Sequence, residues 1–251
     1  MTPERLAVLG RVADALPDLD RPLLVAVDGG DGAGKTWFAD ELATVLADRD
    51  RAVVRASVDD FHHPRSHRHE LGRTGQTVWA RSFDYRVLRR ELLDPWCAGP
   101  GSPYRCRHHD LASDTLVDEP RAAVPEHGVL VFDGVFAQRE ELRCYWDLVV
   151  WLEVTDEERL RRMAGRDDVP LDPAHSDQHR YLDALRIYRD AADPVGSADL
   201  VVDNTDPAVP VLTGSVAGPP GWRRVGDRVG RTILTDRDTA LAINRLLGPE
   251  R

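Results

Sequence analysis

Five short apolar runs recur along the chain, and four of them close on an acidic or glycine-bearing junction. Residues 23–27 end at Asp28-Gly29, residues 52–58 at Asp59-Asp60-Phe61, and residues 128–132 at Asp133-Gly134. Residues 148–154 and 198–202 complete the set. Continuous apolar character, in place of strict alternation, marks strands buried on both faces, as in a parallel sheet. Helical spacing fills the intervals. Leu6, Val8, Leu9, Val12 and Leu16 share a stripe over 4–16, and Phe38, Leu42, Val45 and Leu46 share another after Thr36. Further helices are predicted over 85–96, over 156–164 with Asp156 as N-cap, over 175–192 and over 238–247. The polar stretch 62–77, rich in His, Arg and Gly, reads as a loop, and 104–120 as an irregular or hairpin segment. From Pro207 onward the pattern weakens. Alternating strands and helices predict an α/β fold: a doubly wound, five-stranded, mainly parallel sheet with helices on both faces.

The first strand-to-helix junction carries the chemistry. Gly29-Gly30-Asp31-Gly32-Ala33-Gly34-Lys35-Thr36 is a GxxxxGK[ST] loop placed between a predicted strand and a predicted helix. In a P-loop NTPase fold, successive backbone N–H groups and the helix N-terminus face phosphates. The lysine reaches the β- and γ-phosphates, and the Thr hydroxyl takes Mg²⁺. Lys35 is also the single lysine in the sequence; the other basic residues are arginine. A compact ammonium on a flexible stem suits that position, where a planar guanidinium would crowd the phosphates.

The single lysine excludes a guanine-reading Asn-Lys-x-Asp motif, a protein-kinase strand lysine and a Schiff-base lysine, because Lys35 is already committed. A net charge of −10 on 251 residues argues against a general nucleic-acid or anionic-membrane binder. Three cysteines with no CxxC pair fit reduced thiols and a cytoplasmic location, and Met1-Thr2-Pro3-Glu4-Arg5 has no signal-peptide h-region. No apolar run approaches the ~20 residues of a membrane helix.

In an open parallel sheet, ligands bind at the carboxyl ends of the strands. Asp133 is therefore the expected Mg²⁺-holding carboxylate beside Thr36. Asp59 is the candidate general base for an alcohol acceptor, with Asp60 as a competing base or a structural residue. Arg159, Arg162 and Arg166 fall on one helical face after the fourth run, positioned to neutralise charge on a transferring phosphoryl group.

These segments resemble the uridine kinase family of P-loop nucleoside kinases, with phosphoribulokinase and pantothenate kinase as broader relatives. The likeness runs from about residue 23 to about 203. Ser57-Val58-Asp59-Asp60-Phe61 resembles a Ser-x-Asp-[Asp/Ser]-Phe-Tyr segment, and Ser82-Phe83-Asp84 an Asn-Phe-Asp segment. Pro103-Tyr104 with His109 resembles a hairpin that reads a pyrimidine base. Arg159-Leu160-Arg161-Arg162 followed by Arg166-Asp167 is similar to a lid. The resemblance implies ATP as donor, Mg²⁺ as cofactor and Asp59 as base. It also implies that Asp60, Phe83 and Asp84 lie on the acceptor side, with Asp84 on ribose and Tyr104 and His109 on the base. The chain departs from the pattern at His62, at Asp168-Val169-Pro170 and in the basic segment 104–110, which bears on the acceptor.

The expected organisation is one kinase domain. It has a core over about 20–205, an acceptor-binding insertion over about 60–120, a lid over about 159–172 and a C-terminal extension over about 207–251. Trp222–Arg228 within that extension is a surface strand or a candidate contact for a homo-oligomer. The partners expected are ATP and a small acceptor, with no nucleic acid and no membrane. Three functions remain: phosphorylation of a uridine- or cytidine-like 5′-hydroxyl, phosphorylation of another small alcohol (sugar, vitamin precursor or antibiotic), or nucleotide binding without catalysis.

Overall fold

The five apolar runs form five parallel strands of one sheet: β1 (Leu23–Gly29), β2 (Val53–Ser57), β3 (Val129–Asp133), β4 (Leu148–Glu153) and β5 (Leu200–Asp203). The structure, a computed structural model, describes residues 1–167, 176–215, 222–226 and 232–236. For 166–167, 176–177, 215 and the last two segments the backbone alone is described. The helix expected over 238–247 lies outside the described residues. β1 sits at the centre between β3 and β4, with β2 beyond β3 and β5 beyond β4. Parallel register brings Val27 and Ser57 both opposite Asp133, so the ends of three strands meet at one place.

A sixth strand, β6 (Val211–Ser215), extends the sheet antiparallel to β5, where five strands were expected. It is an edge strand with a register shift between Leu212 and Gly214, and Val211 is exposed. An edge strand wetted on one side needs no apolar run, so the pattern did not mark it. β7 (Trp222–Gly226) and β8 (Thr232–Asp236) pair antiparallel with each other.

Alternate residues of each strand point to opposite faces, and each face builds its own core. Leu23, Val25, Val27, Val129, Val131 and Val150 pack against Leu9 and Val12 of α1 (Pro3–Asp14) and Phe38 and Leu42 of α2 (Lys35–Ala47). Leu24, Ala26, Phe132 and Trp151 pack on the other face. Their partners are Leu88, Leu92 and Trp96 of a continuous helical run over 85–98, and Leu185 and Tyr188 of a long helix, Ser176–Ala192.

The stretch 62–77, expected as loop, contains a helical turn at Arg65–His69 and the start of a helix, α3 (Gly75–Arg81). Thr74 and Thr77 cap that helix reciprocally. Gly75 lets it touch the long helix, since a Cβ there would fall 2.4 Å from the Asp183 Cβ. Numbering on, α4 is the run 85–98, α5 is Asp156–Asp167 and α6 is Ser176–Ala192. At the start of α5 the cap is Thr155, whose hydroxyl accepts from the Glu158 N–H at 3.4 Å. Asp156, the expected cap, pairs with Arg159 at 2.8 Å. No helix among the described residues is long and apolar enough to cross a membrane.

Candidate active site

The glycine loop joins β1 to α2 with its backbone wrapped around the α2 N-terminus. Gly32 has a φ of +79°, and a Cβ on it would lie 2.6 Å from the Arg159 carbonyl oxygen, so only glycine fits. Lys35 Nζ donates to the Gly30 carbonyl oxygen at 3.0 Å, folded back across the mouth of the loop. The Thr36 hydroxyl donates to Asp133 Oδ2 at 2.8 Å, which joins the two expected metal ligands across 97 residues of chain. Arg55, on β2, pairs with the other oxygen, Asp133 Oδ1, at 2.7 Å. The carboxylate is thereby turned so that Oδ2 faces the glycine loop. A hydroxyl and a carboxylate oxygen side by side suit Mg²⁺, which takes one or two protein oxygens and fills its octahedron with water and phosphate.

Arg159 and Arg162, expected to share a face and a task, do different things. Arg159 is 2% exposed. It donates through Nε to the Asp31 carbonyl oxygen at 2.9 Å and acts as a strut beneath the loop. Arg162 donates to the carbonyl oxygens of Gly32 at 3.2 Å, Asn204 at 3.0 Å and Thr205 at 2.8 Å, with Glu158 Oε1 at 2.7 Å. It ties the glycine loop to the segment after β5. The Arg166 side chain lies outside the described residues. Asn204 adds a second tie, donating to the Ala33 carbonyl oxygen at 2.8 Å. Arg5 of α1 in turn donates to Asn204 Oδ1 and to the Pro207 carbonyl oxygen, both at 3.0 Å.

Asp28, the last residue before the glycines, is fully buried. It accepts from the Gly29 N–H at 2.8 Å, from Gln138 Nε2 at 3.2 Å and from the Tyr188 hydroxyl. Burial pushes its carboxyl up to about 6, against the lowering effect of those hydrogen bonds. The folded state thus binds this proton more tightly than the unfolded chain. Its stabilising contribution is complete below the ordinary value of 3.8 and is lost as pH rises through about 6. Asp28→Asn removes that dependence. Denaturant melts should show the variant gaining on the parent between pH 4 and pH 7 by roughly 2 kcal/mol. A constant difference across that range would show that Asp28 does not titrate there.

Two cavities meet at the carboxyl edge of the sheet. One, about 900 Å³, is lined by Lys35, Thr36, Asp133, Arg162 and Asn204, with Thr2 and Arg5 at the far end. The other, about 520 Å³, is lined by His62, Arg68, Arg73, Phe83, Gln178 and Arg180 among others. Asp59 lies on the wall of both, as do Asp31, Val135 and Met163. Asp59 follows Ser57, whose hydroxyl accepts its N–H at 3.3 Å, and its side chain is 67% exposed. His62 Nδ1 donates to the Asp59 carbonyl oxygen at 2.8 Å. Burial lowers the His62 pKa to about 4, so the ring is neutral near pH 7 and its Nε2 is an acceptor.

Of the expected acceptor-side residues, Phe83 reaches the smaller cavity, with its ring 4.4 Å from that of His62. Asp60 is held by Arg107 Nε at 2.8 Å, which separates it from the role given to Asp59. Asp84 caps α4 by accepting from the Val87 N–H at 3.0 Å. Tyr104 packs in the core against Trp96, and buried His109 lies with Nε2 3.2 Å from Asp114 Oδ1. None of these four lines either cavity. Arg107 is surrounded by Asp60, Asp110 and Glu119, so the basic segment 104–110 is largely neutralised where it stands. Periodicity does not mark Asp28, Arg55, Arg68, Arg73, Gln178 or Arg180. The one local signal among them is the charge of Asp28 at the end of an apolar run.

No family model matches the chain. A curated uridine kinase of Lactobacillus helveticus is 25% identical over 160 residues, covering 59% of this chain and 69% of the relative. Among solved structures, a "possible uridine kinase" of Bacillus stearothermophilus aligns with a TM-score of 0.61 at 23% identity, over 78% of this chain and 96% of that one. A D-glycerate 3-kinase of Cryptococcus neoformans aligns with a TM-score of 0.50 at 13% identity, over 91% and 94%. The chain therefore has the P-loop kinase fold and is similar to uridine kinases at 25% identity or below.

Proposed function

We propose that the protein is an ATP-dependent small-molecule kinase that transfers the γ-phosphoryl group of Mg·ATP to a hydroxyl. The observation that carries this reading is the position of Asp59 on the shared wall of two cavities, one of which holds the glycine loop. In-line transfer needs donor and acceptor on opposite sides of one reaction plane, with a carboxylate at the acceptor hydroxyl. Asp59 accepts the hydroxyl proton, Lys35 meets the phosphates, and Thr36 and Asp133 would hold Mg²⁺. Bound there, the ion would neutralise charge on the β- and γ-oxygens. The similarity to a curated uridine kinase supports a nucleoside 5′-hydroxyl as acceptor. The separation of Asp84, Tyr104 and His109 from both cavities supports a second reading, another small alcohol.

A coupled ADP-release assay tests the shared part of both readings. With Mg·ATP and a panel of nucleosides, sugars and hydroxy acids, at least one acceptor should raise ADP release 100-fold or more over water alone. Tight Mg·ATP binding with no acceptor-stimulated turnover would favour a nucleotide-binding module.

A further inference from the structure

The larger cavity reaches well beyond the glycine loop. Its far end is built by the start of α1, one face of α2 and the turn after β5. Arg5 holds these three elements together. It is 6% exposed, pairs with Glu41 of α2, and donates to Asn204 and Pro207 as described above. Its guanidinium lies 5.5 Å from the centre of the Phe38 ring. Thr2 caps α1 by accepting from the Arg5 N–H at 3.2 Å, and its hydroxyl donates to the Ala208 carbonyl oxygen. The Ala208 N–H donates to Asp206 Oδ1 at 2.9 Å, which closes the turn on itself. Pro207 and Ala208 are therefore fixed on the cavity wall from α1, an element outside every motif read in the sequence.

Trp37 is the independent observation. It is 78% exposed, whereas Trp96, Trp146 and Trp151 are buried. It follows Thr36 directly and stands four residues before Glu41, so the two share a face of α2, and both line the cavity. A single exposed apolar side chain on open surface needs no explanation. An exposed indole on the wall of a cavity of about 900 Å³, one residue beyond an expected metal ligand, is placed to cover its face with a bound ring. A nucleotide supplies that ring. Its base is joined to its phosphates through one sugar, so phosphates held at Lys35 and Thr36 carry the base along the same wall.

We propose that Trp37 is the platform for the purine ring of the phosphoryl donor, and that Arg5 is a positioning residue that holds the Pro207-Ala208 turn as a further wall of the same site. The inference rests on the kinase reading above and adds donor-binding residues outside the glycine loop. Stacking on the indole face supplies affinity that the phosphates do not. Arg5 acts through the turn and does not itself meet the nucleotide.

Calorimetric titrations of the full chain with Mg·ADP and with Mg·tripolyphosphate, which has phosphates and no ring, test it. Trp37→Ala should weaken Mg·ADP roughly tenfold or more, the scale of a lost base-stacking contact, and leave Mg·tripolyphosphate within about twofold. Trp37→Phe keeps a ring and should recover most of the ADP affinity. Mg·ADP should change the tryptophan emission of the parent far more than that of Trp37→Phe, and Mg·tripolyphosphate should change neither. Arg5→Lys keeps the charge and loses the planar fork, so it should raise the KM for ATP roughly tenfold with kcat and the acceptor's KM within about threefold. Trp37 is exposed, so its variants decide even where Arg5→Lys fails to fold. Parent-like ADP affinity in Trp37→Ala, or an equal loss for both ligands, would overturn the inference and leave the kinase reading standing. A parent that binds neither ligand would overturn the kinase reading and the inference with it.

Discussion

Asp59→Asn should bind Mg·ATP with the parent's affinity and turn over roughly 10²–10⁴-fold more slowly, the range expected when a positioned proton acceptor is removed. Each decade corresponds to ~1.4 kcal/mol of barrier. The split between binding and turnover follows from geometry. Asp59 is solvated and borders the donor cavity without contributing to the glycine loop. Asparagine keeps its size and hydrogen-bonding reach and loses only the ability to take a proton. Asp60→Asn is the matched control. Asp60 is held by Arg107, which also pairs with Glu119, so its loss should loosen the segment around Arg107 and lower stability, with turnover reduced far less. Steady-state rates and nucleotide titrations on both variants check this. A reversed order of effects would move the base to Asp60.

Lys35→Met should weaken Mg·ATP binding and reduce turnover together, by roughly 10³-fold in kcat/KM, because the ammonium meets the phosphates in both the ground state and the transition state. Lys35→Arg should not restore the rate, since a planar guanidinium cannot replace a point charge inside the loop. This sequence permits a direct readout. Lys35 is its single lysine, so an amine-directed reagent modifies one side chain besides the chain terminus. Mg·ATP should protect Lys35 from that reagent. Equal modification with and without nucleotide would place the phosphates elsewhere.

The legible parts of the molecule were those written in contiguous residues. Strand β1, the glycine loop and α2 follow one another without a break, and the ends of β2 and β3 carry their carboxylates in sequence. Thr36 and Asp133 could be paired because a parallel sheet aligns strand ends. Features made by distant segments were not legible. Asp59 lies on the walls of both cavities, whereas Asp60 is held by Arg107, 47 residues further along the chain. Arg55 holds Asp133 from the neighbouring strand β2, a pairing that register alone creates. α3 is a seven-residue helix that gains its stability by packing on α6, and such tertiary support outweighs weak local propensity. The basic segment 104–110, expected to bear on the acceptor, is neutralised by its neighbours. The arginines of the smaller cavity arrive singly from three places and leave no local pattern.

The account stands or falls on where the γ-phosphoryl group goes. The most direct measurement is a ³¹P spectrum of the reaction of the parent and Asp59→Asn with Mg·ATP and the preferred acceptor. The account predicts ADP together with a new phosphomonoester of the acceptor for the parent, and neither at a comparable rate for the variant. ADP with inorganic phosphate as the sole product, formed equally by both, would contradict it.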